Sequence, residues 1–198
     1  MRLTKCIFYL SLFFSSLASY GQLQHGEILE NFRLTNTVNG STFNLEQEYN
    51  HQLLVLIFFA HDCPYNKIYT ERIIKLAKNY DTRDVLVVAI NPNSPALNPE
   101  ASPAKMKKYA ESFPLPFPYL EDPQKIVSTK LHITKTPSVY VFKNISNKYV
   151  MQYRAAIDDA PEKEKSVTES YLAKAIDALL ANKSFKYRYT EEVGCQIK

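Results

Sequence analysis

Several residue types are scarce in this sequence of 198 residues, which has no tryptophan, four glycines and three cysteines. Strong charge is also missing. The 24 basic residues barely exceed the 20 acidic ones, and two of the basic residues, Arg2 and Lys5, lie at the very start of the chain. The rest is therefore nearly neutral and gives no electrostatic case for nucleic-acid binding, which requires a concentrated basic surface. We expect no nucleic-acid partner.

Apolar content is ordinary despite the missing tryptophan. Hydrophobic residues make up 45% of the chain, and 14 tyrosines and 11 phenylalanines supply large side chains for a core. This composition is typical of a folded globular protein and argues against extensive disorder. The length fits one domain.

The first 21 residues have the pattern of a secretory signal peptide. Arg2 and Lys5 give a positive start, an apolar run covers 7–17, and Ser19 and Gly21 provide the small side chains of a cleavage site. The run is too short to span the roughly 30 Å hydrocarbon core of a bilayer as a helix. We expect an exported chain, periplasmic or secreted, without a stable membrane span after cleavage. The alternatives are a retained anchor and a buried first helix.

Residues 22–198 have the element order of a single α/β domain. Two unbroken apolar runs, at 53–60 and 85–90, suit strands buried on both faces. Between them, apolar residues recur at helical spacing over 66–80, so the three segments form a βαβ unit with parallel strands. We also predict a hairpin around Asn39-Gly40 and several later elements: helices at 103–113, 122–131 and 166–182, strands at 138–143 and 148–154, and a C-terminal arm at 183–198.

One thiol, Cys63, lies between the first buried strand and the following helix, directly before Pro64. The first turn of a helix presents unpaired N–H groups and the positive end of the helix dipole, and both stabilise a thiolate. We therefore predict that Cys63 is a nucleophile; the alternative is an inert, packed cysteine. A charged or hydrogen-bonding His61 would favour the thiolate, whereas Asp62 would oppose it. Alternatively, both side chains face solvent.

Further short segments have an order and spacing that together are fairly specific. They are HDCPY (61–65), VVAIN (87–91), SP (102–103), FPYL (117–120), TP (136–137), IDD (157–159) and GCQIK (194–198). Over residues 26–198 the chain thereby resembles the redoxin group of thioredoxin-like proteins, and more narrowly a peroxiredoxin-like bacterial subfamily related to AhpC/TSA proteins.

The resemblance implies a thioredoxin fold: a central mixed β-sheet flanked by helices, here with an N-terminal β-hairpin extension and a C-terminal tail. It also implies an antioxidant oxidoreductase that reduces peroxides or protein disulfides through Cys63. An unknown thiol reductant would return Cys63 to its reduced form, and no cofactor is needed. In such folds a proline at the place of Pro137 is cis and lies against the active-site cysteine, so Pro137 and Thr136 are expected to shape the substrate face.

Two departures from better-known relatives limit what the resemblance implies. Asn66 stands where a Cys-x-x-Cys motif has its second cysteine, so a dithiol within one helical turn is impossible. Ala60 stands where typical peroxiredoxins have a threonine that positions peroxide. His61 and Thr136 are the candidate hydrogen-bond donors in its place.

Cys195 is the remaining candidate partner for Cys63. On an arm that folds back, it would act as a resolving cysteine and convert an oxidised Cys63 into an intramolecular disulfide. The alternatives are a free thiol and a purely structural bridge. Two rival functions also remain: a non-catalytic binding module that keeps the fold, and copper handling by Cys63, Cys195 and a histidine. Because no close-spaced cysteine pair is present, a metal site is not expected.

Overall fold

The structure is a computed structural model that describes residues 25–186, 190 and 193–198. The predicted signal peptide, residues 1–21, lies outside these residues, and so do five positions of the predicted arm. In the part of the chain that is described, no helix is long and apolar enough to cross a membrane.

The predicted β-hairpin is confirmed at the start of the described chain. Its strands β1 (Arg33–Asn36) and β2 (Thr42–Asn44) pair antiparallel. Gly40 in the connecting turn has a φ of 75°, a conformation that only glycine adopts without steric cost.

The predicted βαβ unit is also confirmed. Strands β3 (Leu53–Phe58) and β4 (Val85–Asn91) run parallel, and helix α1 (Pro64–Tyr80) connects them. Every residue of β3 is buried. This burial explains the unbroken apolar run, since a central strand covered on both faces has no solvent-facing positions.

The following segment contributes a strand that the sequence did not predict. After helix α2 (Pro103–Ser112), strand β5 (Tyr119–Glu121) pairs parallel with β4 and antiparallel with β1. It has only three residues and follows a proline-rich stretch, so no periodicity marks it. Helix α3 (Ile126–Lys130) comes next and is shorter than predicted. Its start is fixed by the Asp122 carboxylate, which accepts N–H bonds from the helix's first turn.

The rest of the chain completes the sheet and adds a separate small ladder. Strands β7 (Ser138–Asn144) and β8 (Tyr149–Ala155) extend the sheet beyond β3, giving the order β2-β1-β5-β4-β3-β7-β8. Helix α4 (Tyr171–Leu180) begins five residues later than predicted, and residue 166 belongs to a separate 3-10 turn over 164–166. The short strands β6 (Lys135–Thr136) and β9 (Cys195–Gln196), which were not predicted, pair antiparallel.

Apolar side chains cover both faces of the sheet. Ile73 of α1, Met106 of α2 and Ile176 of α4 belong to the core on one face. Val127 of α3 belongs to the core on the other face. The predicted α/β class, with a central mixed sheet flanked by helices, is therefore confirmed, and the junction between β3 and α1 lies at one end of the sheet's centre.

Candidate active site

Cys63 is the N-cap residue of α1, with φ −71° and ψ 129°. Its carbonyl accepts the first helical bond from the Lys67 amide at 3.1 Å, and its own amide donates to the Ala60 carbonyl at 3.0 Å. The side chain is buried, with 4% exposure. The sulfur therefore lies at the helix end whose amides lack intrahelical acceptors, an arrangement that stabilises a thiolate.

Cys63 is joined to Cys195 by a disulfide bond. The S–S distance is 2.02 Å, the Cα atoms are 6.0 Å apart, and the two residues are 132 positions apart in sequence. The sequence left this pairing open, because only the folded chain shows whether the arm reaches the first turn of α1.

Backbone hydrogen bonds seat the arm beside the same turn. In the β6–β9 ladder, Cys195 lies opposite Thr136. Two residues further on, the Ile197 amide donates to the Thr134 carbonyl at 3.1 Å. The arm is thus an added strand, and the disulfide is one of several contacts that hold it.

The loop after β4 holds the last residue of the chain. The amide of Lys198 donates to Oδ1 of the buried Asn93 at 2.7 Å, and the amide of Ser94 donates to the Lys198 carbonyl at 3.1 Å. The residues after Cys195 are therefore fixed on both sides, between β6 and this loop.

The Thr136-Pro137 peptide bond is cis, the isomer that the resemblance implied. The carbonyl oxygen of Thr136 lies 3.5 Å from Sγ of Cys63. Thr136 is therefore next to both cysteines of the pair: it contacts one and forms a β-bridge with the other.

Asn66 connects this peptide to the active-site helix. Its side-chain amide donates to Oγ1 of Thr136 at 3.0 Å and to the carbonyl of Ala60 at 2.8 Å. The residue is fully buried, and within the described residues its Oδ1 has no hydrogen-bond partner. The sequence marked Asn66 only as a missing cysteine. Its position one turn after Cys63 was the available signal, since residues three apart share a helix face.

His61 belongs to an aromatic cluster. The Tyr119 hydroxyl donates its only proton to the Phe59 carbonyl at 3.0 Å, so its 3.2 Å contact with Nδ1 of His61 requires the imidazole to donate. The ring also stacks on Tyr109, with centroids 4.9 Å apart. Burial lowers the pKa of His61. The imidazole is therefore neutral near pH 7, with its remaining lone pair on Nε2.

The alternative of a solvent-facing His61 and Asp62 is wrong for His61, which is only 7% exposed. Asp62 is partly buried and accepts a hydrogen bond from the Asn98 side chain at 2.9 Å. The loop between β4 and α2 therefore packs directly against the residue before Cys63.

A buried ion pair joins α1 to the segment after β8, and the sequence did not reveal it. Nη1 of Arg72 lies 2.8 Å from Oδ2 of Asp158, and the Tyr69 hydroxyl donates to Oδ1 at 2.9 Å. Burial and the nearby Asp158 carboxylate raise the pKa of Tyr69 far above its usual range. A cavity of about 210 Å³ is lined by Tyr69 and Asp158 of this group, by Pro137 and by Val193 of the arm.

No group of three or more His, Cys, Asp or Glu side chains in the described residues is arranged to hold a metal ion. The set proposed for copper handling is thus not assembled here, and both of its cysteines are in the disulfide.

Comparisons with known structures show the same fold. One is the crystal structure of an uncharacterized conserved protein from Geobacillus kaustophilus, whose sequence is 32% identical to this chain. The match covers 89% of this chain and 93% of that chain, with a TM-score of 0.80. A hypothetical protein from Sinorhizobium meliloti 1021 is 26% identical, with a TM-score of 0.78 over 89% of this chain and 95% of that one.

Peroxidoxin BcpB from Mycobacterium tuberculosis is 19% identical, with a TM-score of 0.60 over 82% of this chain and 100% of that chain. This last likeness shows the thioredoxin fold alone. No curated protein sequence matches the chain.

The family model of AhpC/TSA proteins matches residues 25–160. The match contains the β3–α1 junction with Cys63, the cis Thr136-Pro137 peptide and Asp158, whereas the arm with Cys195 lies beyond it. Because this match spans more than half of the sequence and agrees with the structural likenesses, the chain belongs to the AhpC/TSA family.

Proposed function

We propose that this thiol oxidoreductase works with two cysteines, Cys63 as the nucleophile that is oxidised first and Cys195 as the resolving thiol. The observation that carries the proposal is the disulfide between them, formed at the N-terminus of α1. A helix N-terminus favours the thiolate that attacks an oxidant.

A peroxide is one substrate class that fits this chemistry. The Cys63 thiolate attacks the peroxide, the O–O bond breaks, and the products are Cys63 sulfenic acid and, after proton uptake, an alcohol or water. The Cys195 thiolate then attacks the Cys63 sulfur. The S–S bond forms, the S–O bond breaks, and hydroxide leaves and is protonated to water.

A protein disulfide is the other substrate class, and it leads to the same product. Cys63 attacks one sulfur of the substrate, forms a mixed disulfide and releases the other sulfur as a thiolate. Cys195 then attacks Cys63 and releases the second substrate thiolate. In both routes an external thiol reductant must reduce the Cys63–Cys195 bond before the next cycle.

Neighbouring residues support the reaction by position. Asn66 holds the peptide of Thr136 and Pro137 against Cys63 through its bond to Oγ1 of Thr136. His61 fixes the β3–α1 loop through the Tyr119 hydroxyl, which in turn bonds the Phe59 carbonyl. Ala60 has a backbone carbonyl but no side-chain hydroxyl, so other groups at this site would have to donate hydrogen bonds to a peroxide.

We also propose that the protein is exported. The charged start, the apolar run at 7–17 and the small residues before residue 22 support this proposal. An oxidising compartment allows a disulfide to persist between turnovers. Mass spectrometry of the chain recovered from a secretion-competent bacterial host tests this. A mature form that begins at residue 22 is expected, whereas retention of residues 1–21 would contradict it.

The experiment for the reaction uses the reduced full chain. It is mixed with hydrogen peroxide or with a protein disulfide in single turnover, followed by mass mapping of the thiols. At least one oxidant should react with Cys63 far faster than with free cysteine and yield the Cys63–Cys195 disulfide. Cys195→Ser should still be oxidised at Cys63, and Cys63→Ser should be inert. Equal reactivity with free cysteine for both oxidants would favour a non-catalytic binding module.

A further inference from the structure

Gly194, the residue before Cys195, has no room for a side chain. A Cβ atom built on it would lie 2.2 Å from the carbonyl oxygen of Thr136, 2.7 Å from the carbonyl carbon and 3.1 Å from the nitrogen of Pro137. All three atoms belong to one backbone peptide, so no side-chain rotation relieves the contact. Either the arm or this peptide would have to move.

The requirement for glycine here is one of space. The φ of Gly194 lies outside the left-handed region that favours glycine, unlike those of Gly26 and Gly40. The φ of Gly194 therefore does not by itself require glycine.

The peptide that crowds Gly194 also contacts the nucleophile. The Thr136 carbonyl oxygen lies 3.5 Å from Sγ of Cys63, and Thr136 pairs with Cys195 in the β6–β9 ladder. Moreover, Thr136 is only 1% exposed and bonded to the buried Asn66, so this peptide cannot easily retreat. A side chain at position 194 would therefore displace the arm and carry the Cys195 sulfur away from Cys63.

We propose that Gly194 is a positioning residue for the resolving step. Its lack of a side chain lets the arm lie flat against the Thr136-Pro137 peptide, where the Cys195 thiolate reaches the oxidised Cys63. The step served is the one described above: the S–S bond forms at Cys63, and hydroxide or a substrate thiolate leaves. This inference rests on the proposed function, since it assigns a role within that cycle.

The test compares Gly194→Ala with Gln196→Ala as the matched control, because Gln196 is an exposed β9 residue on the other side of Cys195. Reduced proteins are mixed with the oxidant that the wild type accepts, and the two steps are timed separately. Oxidation of Cys63 should keep its wild-type rate in both variants. Disulfide formation in Gly194→Ala should be roughly tenfold to a hundredfold slower, the rate equivalent of overpacking a tight contact. Gln196→Ala should match the wild type.

A second measurement separates this inference from the proposed function. The Cys63–Cys195 equilibrium is measured in glutathione redox buffers, which needs no peroxide turnover. The equilibrium constant for the disulfide should be at least about tenfold lower in Gly194→Ala, while cooperative urea unfolding of the reduced variant shows that it is folded. If the wild type reduces neither oxidant yet this shift is found, the proposed cycle fails, and Gly194 keeps only a role in positioning Cys195 for disulfide formation. An unchanged equilibrium and an unchanged second step would overturn the inference.

Discussion

The side-chain amide of Asn66 donates a hydrogen bond to Oγ1 of Thr136 at 3.0 Å, across the junction between the active-site helix and the cis-proline peptide. A second bond from the same amide reaches the Ala60 carbonyl at 2.8 Å. Asn66 thus ties the end of β3, the first turn of α1 and the peptide beside Cys63 together. It does so from the position where a dithiol motif would place its second cysteine.

Asn66→Ala should destabilise the reduced protein by about 2–4 kcal/mol, because it removes one of the two donors to the Ala60 carbonyl and the amide that donates to the Thr136 hydroxyl in a fully buried site. Urea unfolding of the reduced protein measures this loss. Thr136→Val, which removes only one of the two bonds, is the matched control and should lose less. Equal losses for the two variants would show that the bond to Ala60 contributes little.

The external thiol reductant is expected to attack Cys195 rather than Cys63. Cys63 is only 4% exposed, whereas Cys195 is partly exposed. Attack on Cys195 also makes Cys63 the leaving thiolate, which the N-terminus of α1 stabilises. Oxidised protein treated with a limiting small thiol, then rapidly quenched and alkylated, should carry the thiol adduct on Cys195 and the alkyl label on Cys63. The reverse labelling would contradict this assignment.

Folding stability should fall as the pH drops below the ordinary histidine pKa of 6.5, in part because of His61. Burial lowers the pKa of His61 in the folded state, so the unfolded chain takes up its proton first as the pH falls. The stabilisation is complete above pH 6.5 and declines below it until the folded imidazole is also protonated.

Urea midpoints at about pH 7.5 and about pH 5.5 measure this dependence, since the pair brackets the histidine range. His61→Gln should show a smaller difference between the two midpoints, because its amide does not titrate. His132→Gln, which changes a histidine that is only partly buried, serves as the control. An equal pH effect in all three proteins would rule out His61 as its source.

The sequence was sufficient to predict those elements whose local residue pattern matches their surroundings in the fold. The apolar runs of β3 and β4 predict central strands because no position of a buried strand needs a polar side chain. Pro64, directly after Cys63, likewise predicts a helix start, because the first turn of a helix needs no N–H donor and suits the fixed φ of proline.

What the sequence missed depends on contacts between distant segments. Strand β5 is too short to show a period, and β9 exists only because Thr136 lies opposite Cys195 in space. Gly194 was marked only as part of the GCQIK segment, and its lack of room for a side chain depends on the Thr136 carbonyl, which is distant in sequence. Arg72 was also unremarkable, since its partner Asp158 lies 86 positions away in the chain.

The Arg72–Asp158 pair should be far more important for stability than an exposed ion pair of similar geometry. Side-chain exposure is 8% for Arg72 and 5% for Asp158, at a distance of 2.8 Å. Arg72→Met would leave the buried Asp158 carboxylate without its cation, at a cost of about 3–5 kcal/mol. Arg83→Met is the matched control, because Arg83 and Asp177 pair at 2.9 Å with 47% and 54% exposure. That variant should lose about 0–1 kcal/mol, since water screens the exposed pair. Urea unfolding of both variants at neutral pH measures the two losses of unfolding free energy. Equal losses would contradict the prediction and would mean that water or another partner compensates Asp158 when Arg72 is removed.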